Sequence, residues 1–329
     1  MAYPDPLADL PGMDELRQRV EKRLLAAVES EHRAMTDMAS HLVRAGGKRL
    51  RPVLSALASA VGRPDVTVLD EAVTGGVACE LVHVGSLHHD DVIDEARSRH
   101  GVDSVNARWG NLRAILSGDF LLARASELAA TLGTEVAGVL AATIGRLCTG
   151  EVLELELAYR VDRSPDDYAA AVDGKTAALY ATACRIGGLV AGVPRPHVEA
   201  LTAFGRHYGT AFQVVDDILD VVAADEELGK PAGHDMAEGI YTLPVLCTLR
   251  GPAGRELRDL LGGPLSDDAR ARALAIVRSG DGVEQALVEA RAAIDRAVAH
   301  LADLPPTPAT TALAAAARHL LAGVERGAG

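Results

Sequence analysis

The chain has 329 residues, 48% of them hydrophobic and only 3% aromatic, with a mean hydropathy of +0.11, which is ample for a large core. Its formal net charge of −13 argues against a nucleic-acid partner, because such partners are met by basic stripes. The four cysteines (Cys79, Cys148, Cys184, Cys247) form no CxxC pair and lie in apolar stretches, so they read as small buried hydrophobes of a reducing compartment.

Residues 1–12 are proline-rich and read as a flexible arm with no basic segment leading into an apolar one, hence no secretory signal. From Met13 to Val43 apolar residues recur at helical spacing between charges, predicting one or two amphipathic helices. Gly46-Gly47 then precedes Lys48, Arg49 and Arg51, with Pro52 close to a helix start. Residues 53–95 read as mostly apolar helix broken at 62–65, and residues 112–160 as two or three long helices broken near Gly133. Ser164-Pro165-Asp166-Asp167 is a helix start, and that helix is expected to run through Lys175 toward Leu189. After a break at 193–196, one more long helix covers 197–223. A polar loop follows over 224–242, then shorter helices with a proline-rich break at 304–308. No run reaches about 18 uncharged apolar residues, the length of a membrane span. The expectation is therefore a cytoplasmic protein with no integral membrane segment. Its fold class is all-α: a single-domain bundle of antiparallel helices over 13–329 around a central cavity, where bundles build ligand sites.

Asp-Asp-x-x-Asp occurs twice, as Asp90, Asp91, Asp94 and as Asp216, Asp217, Asp220. On a helix, positions i, i+1 and i+4 cover one face. Carboxylates this close repel one another and resist desolvation, so in apolar surroundings they need a counter-charge. All-oxygen ligands suit a hard cation such as Mg²⁺, which shares substrate phosphates. A solvated acidic stripe is the bland alternative, and the flanking His83, Leu87, Val92 and Ile93 argue against it.

Basic groups lie near both motifs. Arg97, Arg99 and His100 follow the first copy, either as helix-end salt bridges or as clamps on phosphate oxygens. The Gly46–Pro52 segment is a natural anion site or a plain basic turn. Lys175 is a lone cation in an apolar helix, either snorkelling outward or meeting an anion. Lys230, between Gly229 and Pro231, sits in a loop that is either solvated or a flap closing over a phosphate.

Taken together, GGKRLRP (46–52), ELVHVGSLHHDDVIDEARSRHG (80–101), NARWGNLRAILSGDFLLARA (106–125), GKTAALYATACRIGG (174–188) and FQVVDDILD with LGKPAGHD and TLP (212–243) resemble the trans-isoprenyl diphosphate synthases, or polyprenyl synthetases. The resemblance implies head-to-tail condensation of isopentenyl diphosphate with an allylic diphosphate of farnesyl or geranyl type. It implies Asp90, Asp94 and Asp216 as direct ligands of three magnesium ions, with Asp91 and Asp220 supporting and Asp217 among the catalytic residues of the second motif. Arg99, Lys175 and Lys230 would contact the allylic diphosphate; Lys48, Arg51 and His83 would hold isopentenyl diphosphate. Thr176 and Gln213 would lie beside the developing cation. A homodimer is expected.

Two departures stand out. His100 occupies a position usually held by a phosphate-binding arginine, which predicts a weaker or pH-sensitive isopentenyl site. Ile240 stands where a lysine is usual. One turn before Asp90, Gly85 and Ser86 are small where short-product relatives carry aromatics, so growth is expected to continue to a plug near Leu140 and Ile144. The expected product is long and all-trans, hexaprenyl to decaprenyl, for a quinone side chain. Geranylgeranyl diphosphate is the runner-up. A class I terpene cyclase would not need Lys48, Arg51 and His83, and a non-catalytic subunit of a heteromeric synthase would generally lose an aspartate motif.

Overall fold

A computed structural model describes residues 12–63, 68–223 and 232–324. The expected arm over 1–12 lies outside these apart from Gly12, and so does Lys230 with residues 224–231 of its loop. The segment 13–45 forms two helices, α1 (Met13–Ala27) and α2 (Arg33–Ala45). On α1, Leu16, Val20 and Leu24 recur every fourth position and form its buried stripe. α3 (Leu50–Ser59) starts after Arg49, whose φ of 48° is left-handed. Pro52 lies in its first turn, where a missing N–H costs no intrahelical bond. α4 (Asp70–Ile93) is buried on nearly all sides and packs against α3, against α6 (Asn111–Thr131) and against α9 (Ala178–Val190). It is the central helix, as an all-round apolar sequence dictates.

After α4, where basic residues suggested a helix end, the chain makes a small antiparallel hairpin. β1 (Ser98–Arg99) pairs with β2 (Val102–Asp103), Arg99 opposite Val102. The two-residue turn has His100 at φ 52° and Gly101 at φ 77°, both left-handed as a twisted hairpin requires. α5 (Val105–Trp109) is capped by Ser104, whose Oγ accepts from the Ala107 N–H. α6 ends before Gly133 and α7 is Thr134–Glu156, so the predicted break is in place.

α8 (Pro165–Val172) opens with a capping box in which Ser164 and Asp167 satisfy each other's backbone N–H groups. It does not run straight into α9. One π turn, Asp173–Ala177, intervenes, the kind of bulge that concentrates at functional sites. α10 (Arg195–Val222) follows. Then come α11 (His234–Ala237), α12 (Leu243–Arg250), α13 (Gly254–Arg258), α14 (Asp267–Ser279), α15 (Gly282–Ala299) and α16 (Pro308–His319).

The core forms two apolar clusters threaded by the same two helices. Leu201, Phe204 and Tyr208 of α10 belong to one, and Val214, Ile218 and Val221 to the other. Ala293 and Ile294 of α15 likewise join the first, Ala286 and Ala290 the second. Cys79 and Cys184 are buried as expected, but Cys148 is exposed and Cys247 half-buried. α7 departs further from expectation. By length and composition it could cross a membrane, and only 22% of its apolar window is buried. In this structure it packs on α6, α8, α9 and the π turn.

His88 on α4 is fully buried, and neither ring nitrogen has a hydrogen-bond partner among the described residues. Because a buried unsatisfied polar group is costly, His88→Leu should stabilise the fold by roughly 1–2 kcal/mol, read as a higher denaturant midpoint at pH 7. A lower midpoint would show that the imidazole is satisfied.

Candidate active site

Helical spacing puts His83, Ser86, Leu87, Asp90 and Asp94 on one face of α4, and this is the face left partly open. Burial is the largest influence on Asp90 and pushes its carboxyl up to about 7, with Lys175 opposing and Glu151 and Asp94 adding repulsion. Burial, then Glu238, pushes Asp94 up to about 6. Both carboxyls lose water on burial and have too little counter-charge to offset that loss.

Asp91 points elsewhere. It is fully buried, and its Oδ1 accepts from Arg99 Nε at 2.8 Å, with Arg99 Nη2 at 2.7 Å. Asn106 Nδ2 donates to the carbonyls of Asp91 and Ala96, and Ser104 Oγ to that of Ala96. Asp91 therefore latches the β hairpin onto the end of α4. Arg99, expected on the allylic diphosphate, is tied to that latch.

The π turn carries the next two groups. Its Gly174 lies against Gly150 of α7 so closely that a Cβ on Gly150 would fall 2.6 Å from the Lys175 nitrogen. This contact brings Lys175 Nζ to 2.8 Å from Glu151 and 2.6 Å from Glu154. One residue on, Thr176 Oγ1 donates to Gln213 Oε1 at 2.8 Å, while Gln213 Nε2 donates to Asp217 Oδ1 at 2.9 Å. The other Asp217 oxygen accepts from the Tyr168 hydroxyl. The turn thus faces the first aspartate motif through Lys175 and the second through Thr176. α11 bridges them again: Glu238, just past its end, adds to the burial that raises Asp94, and Asp235 adds to the burial that raises Asp217 well above the ordinary carboxylate range. Within the second motif Asp216 is exposed, whereas Asp217 and Asp220 are buried.

A positive region adjoins the first motif. Burial lowers the His83 pKa well below the ordinary histidine value, and Arg51, His100, Arg99 and Arg49 lower it further. Those charges come from the start of α3 and from the hairpin, so a phosphate there would meet several cations. Arg51 lies 4.5 Å from the Tyr180 ring centroid and 3.9 Å from Glu80. Arg49 is structural: it pairs with Glu21 and Glu80 and donates to the Val43 carbonyl. Lys48 is exposed.

Two expectations about the tunnel change. Ser86 is on the Asp90 face, with its hydroxyl donating to the His83 carbonyl. Gly85 is not: a Cβ there would lie 3.1 Å from the Gly118 carbonyl of α6 and 3.3 Å from Leu121. Gly85 is small so that α4 and α6 can cross closely, and it leaves no open space. Leu140 is fully buried in the core, while Ile144 is half-buried against it. Ile240, where a lysine is usual, is held by its N–H donating to the Asp235 carbonyl.

Glu151, Glu154, Tyr168, Asp235 and Glu238 were not anticipated. The one available signal was the acidic spacing in Gly150-Glu151-Val152-Leu153-Glu154, which puts both glutamates on one face.

Among the described residues no three His, Cys, Asp or Glu side chains converge into a ready-made cation cage. The donor set nonetheless fits a hard divalent ion. Asp90 and Asp94 offer oxygens from one face whose raised pKa values a bound cation would relieve, and Mg²⁺ characteristically takes one or two carboxylates and completes its shell with phosphate oxygens and water.

His83 stays neutral in the fold but titrates near 6.5 when unfolded. The unfolded chain therefore binds more protons below about pH 6.5, and stability falls as pH drops. The thermal midpoint of His83→Asn should fall less between pH 7 and pH 5 than that of the parent; an equal fall would mean that His83 titrates normally.

The family profile described as Polyprenyl synthetase matches residues 32–277. The nonaprenyl diphosphate synthase of Mycobacterium tuberculosis is 41% identical over 301 residues, covering 90% of this chain and 89% of that protein. Component 2 of the heptaprenyl diphosphate synthase of Geobacillus stearothermophilus is 39% identical over 87% of this chain and 89% of its own length. The crystal structure of a geranylgeranyl pyrophosphate synthase from Corynebacterium glutamicum, complexed with calcium and isoprenyl diphosphate, superposes with a TM-score of 0.83 at 37% identity, covering 98% of this chain and 99% of that one. With an all-α bundle, two aspartate motifs meeting at one π turn and a basic region beside them, the chain belongs to the polyprenyl synthetase family and is a prenyltransferase.

Proposed function

We propose that this prenyltransferase condenses isopentenyl diphosphate with an allylic diphosphate, repeatedly, to a long all-trans product of hexaprenyl to decaprenyl length. The observation that carries the reading is the π turn. It holds an ammonium group, Lys175, toward Asp90 and a hydroxyl, Thr176, toward the second motif. An allylic diphosphate set there would have its leaving group among cations and its reacting carbon beside neutral oxygens.

Asp90, Asp94 and Asp216 would hold Mg²⁺, three ions by resemblance, which when bound supplies charge neutralisation for the departing diphosphate. Lys175 would leave Glu151 and Glu154 for the phosphate oxygens, with Lys230 a further allylic-diphosphate contact by resemblance. Lys48, Arg51, His83 and His100 would hold isopentenyl diphosphate in the positive region, with His100 giving weaker or more pH-sensitive binding than an arginine. Oxygens of Thr176 and Gln213 would stabilise the developing positive charge, since preorganised dipoles act strongly where water is excluded. The departing diphosphate would take the proton, so no side chain is assigned as base.

The names of the long-chain relatives support the product length, and so does Ser86 on the Asp90 face. Geranylgeranyl diphosphate is the second reading, favoured by the Corynebacterium likeness. A cyclase reading leaves the cations around His83 without a purpose. A non-catalytic subunit is disfavoured by two intact motifs. We read the chain as a cytoplasmic homodimer organised as one domain, and the exposed Leu112, Ile115 and Leu116 of α6 with Val152 and Leu155 of α7 provide an apolar face for the second copy.

Incubated with farnesyl diphosphate, isopentenyl diphosphate and Mg²⁺, the purified chain should yield hexaprenyl to decaprenyl diphosphate by mass spectrometry. Geranylgeranyl diphosphate as the end product would replace the first reading by the second. Ser86→Phe should shorten the product by one or more isoprene units. An unchanged ladder would remove Ser86 from the tunnel.

A further inference from the structure

Asp217 belongs by sequence to an aspartate-rich motif, yet its setting differs from that of Asp216. Asp217 is only 2% exposed. Both its oxygens are occupied, one by the Tyr168 hydroxyl and the other by Gln213 Nε2. Tyr168 is itself buried, on a helix fixed by the Ser164–Asp167 capping box. The guanidinium of buried Arg163 lies 5.8 Å from the Tyr168 ring centroid. Tyr168 and Asp217 thus form a rigid unit, and what it holds is one end of the Gln213 amide.

In this arrangement both oxygens of Asp217 act as acceptors, one for the Tyr168 hydroxyl and the other for Gln213 Nε2. Opposite Asp217 the Gln213 side chain must therefore present its NH₂ group, which turns its carbonyl oxygen the other way, to accept from Thr176. The Thr176 proton is drawn into that bond, and the hydroxyl lone pairs are left for the substrate side. A reversed amide would aim N–H groups at the same place and oppose positive charge.

We infer that Tyr168 and Asp217 are positioning residues which fix the Gln213 amide so that the oxygens of Gln213 and Thr176, not the amide N–H groups, face the developing allylic cation. The inference rests on the prenyl-transfer reading above. It gives Asp217 a part other than binding metal and gives Tyr168, which no motif contains, a part in the chemistry.

The test uses the full chain with farnesyl diphosphate, isopentenyl diphosphate and Mg²⁺. Tyr168→Phe leaves Asp217 one donor short. Asp217→Asn provides an NH₂ group that lets the Gln213 amide reverse. Each should lower kcat about tenfold, leaving both KM values and the Mg²⁺ concentration for half-maximal rate within about twofold. The swap Asp217→Asn with Gln213→Glu restores the donor–acceptor order, because the introduced amide donates and the introduced carboxylate accepts from both sides. It should turn over about tenfold faster than Gln213→Glu alone, where two acceptors oppose each other. A merely structural role would lower the thermal midpoints, leave kcat per folded molecule unchanged and show no rescue by the swap; that result overturns the inference. A large rise in the Mg²⁺ requirement of Asp217→Asn would also overturn it, making Asp217 a metal ligand. If the parent chain forms no prenyl product, the reading of function fails and the relay's role with it. Activity in the parent that Tyr168→Phe fully retains defeats the relay alone.

Discussion

Several carboxylates meet one ammonium group at the centre of this bundle. Lys175 lies within salt-bridge distance of Glu151 and Glu154, and its charge acts on Asp90 and Asp94. Burial is the main reason the two aspartates resist ionisation, and Lys175 with Arg99 offsets only part of it while Glu151 adds repulsion. The site is built to stay short of positive charge until something cationic arrives. On the proposed reading a divalent ion would bind better together with its substrate, because alone it would have too few fixed ligands, whereas diphosphate oxygens would help complete its shell.

The rest of the architecture positions these charges. Lys175 can reach the α7 glutamates because Gly150 and Gly174 let the backbones touch. The π turn adds the residue that faces Lys175 and Thr176 toward different motifs. The hairpin after α4 brings Arg99 and His100 back toward His83, and Asp91 anchors it. The two aspartate motifs are thus unlike inside as well as in surroundings. In the first, the middle aspartate latches a loop; in the second, the middle aspartate anchors the Tyr168–Gln213 relay. In each, the buried middle aspartate holds structure, and the metal is proposed to go to more exposed aspartates: Asp90 and Asp94 in the first, Asp216 in the second.

Much of this was legible in the residues. Apolar periodicity gave the helices, Gly133 and Ser164 gave their breaks, and the paired aspartates with scattered cations pointed to a diphosphate site. Other features could not be read. Gly85 beside the first motif looked like open space, since a missing side chain has the same spelling whether it faces a cavity or a neighbouring helix; only the crossing with Gly118 separates the two. Nothing near Glu151 and Glu154 in the chain marks them as partners of Lys175; only the packing of α7 on the π turn does. Nothing near Tyr168 in the chain marks it as a partner of Asp217.

What the sequence determined alone was everything set by local rules: helix content, caps, the clustering of carboxylates on one face and the excess of acid over base. These follow from spacing within a few turns. What only the tertiary structure decided was which group meets which across elements far apart in the chain: Lys175 with α7, Asp91 with Arg99, Asp217 with Tyr168. Such pairings depend on helix crossings and on one π turn, whose energies are settled by the whole packed core.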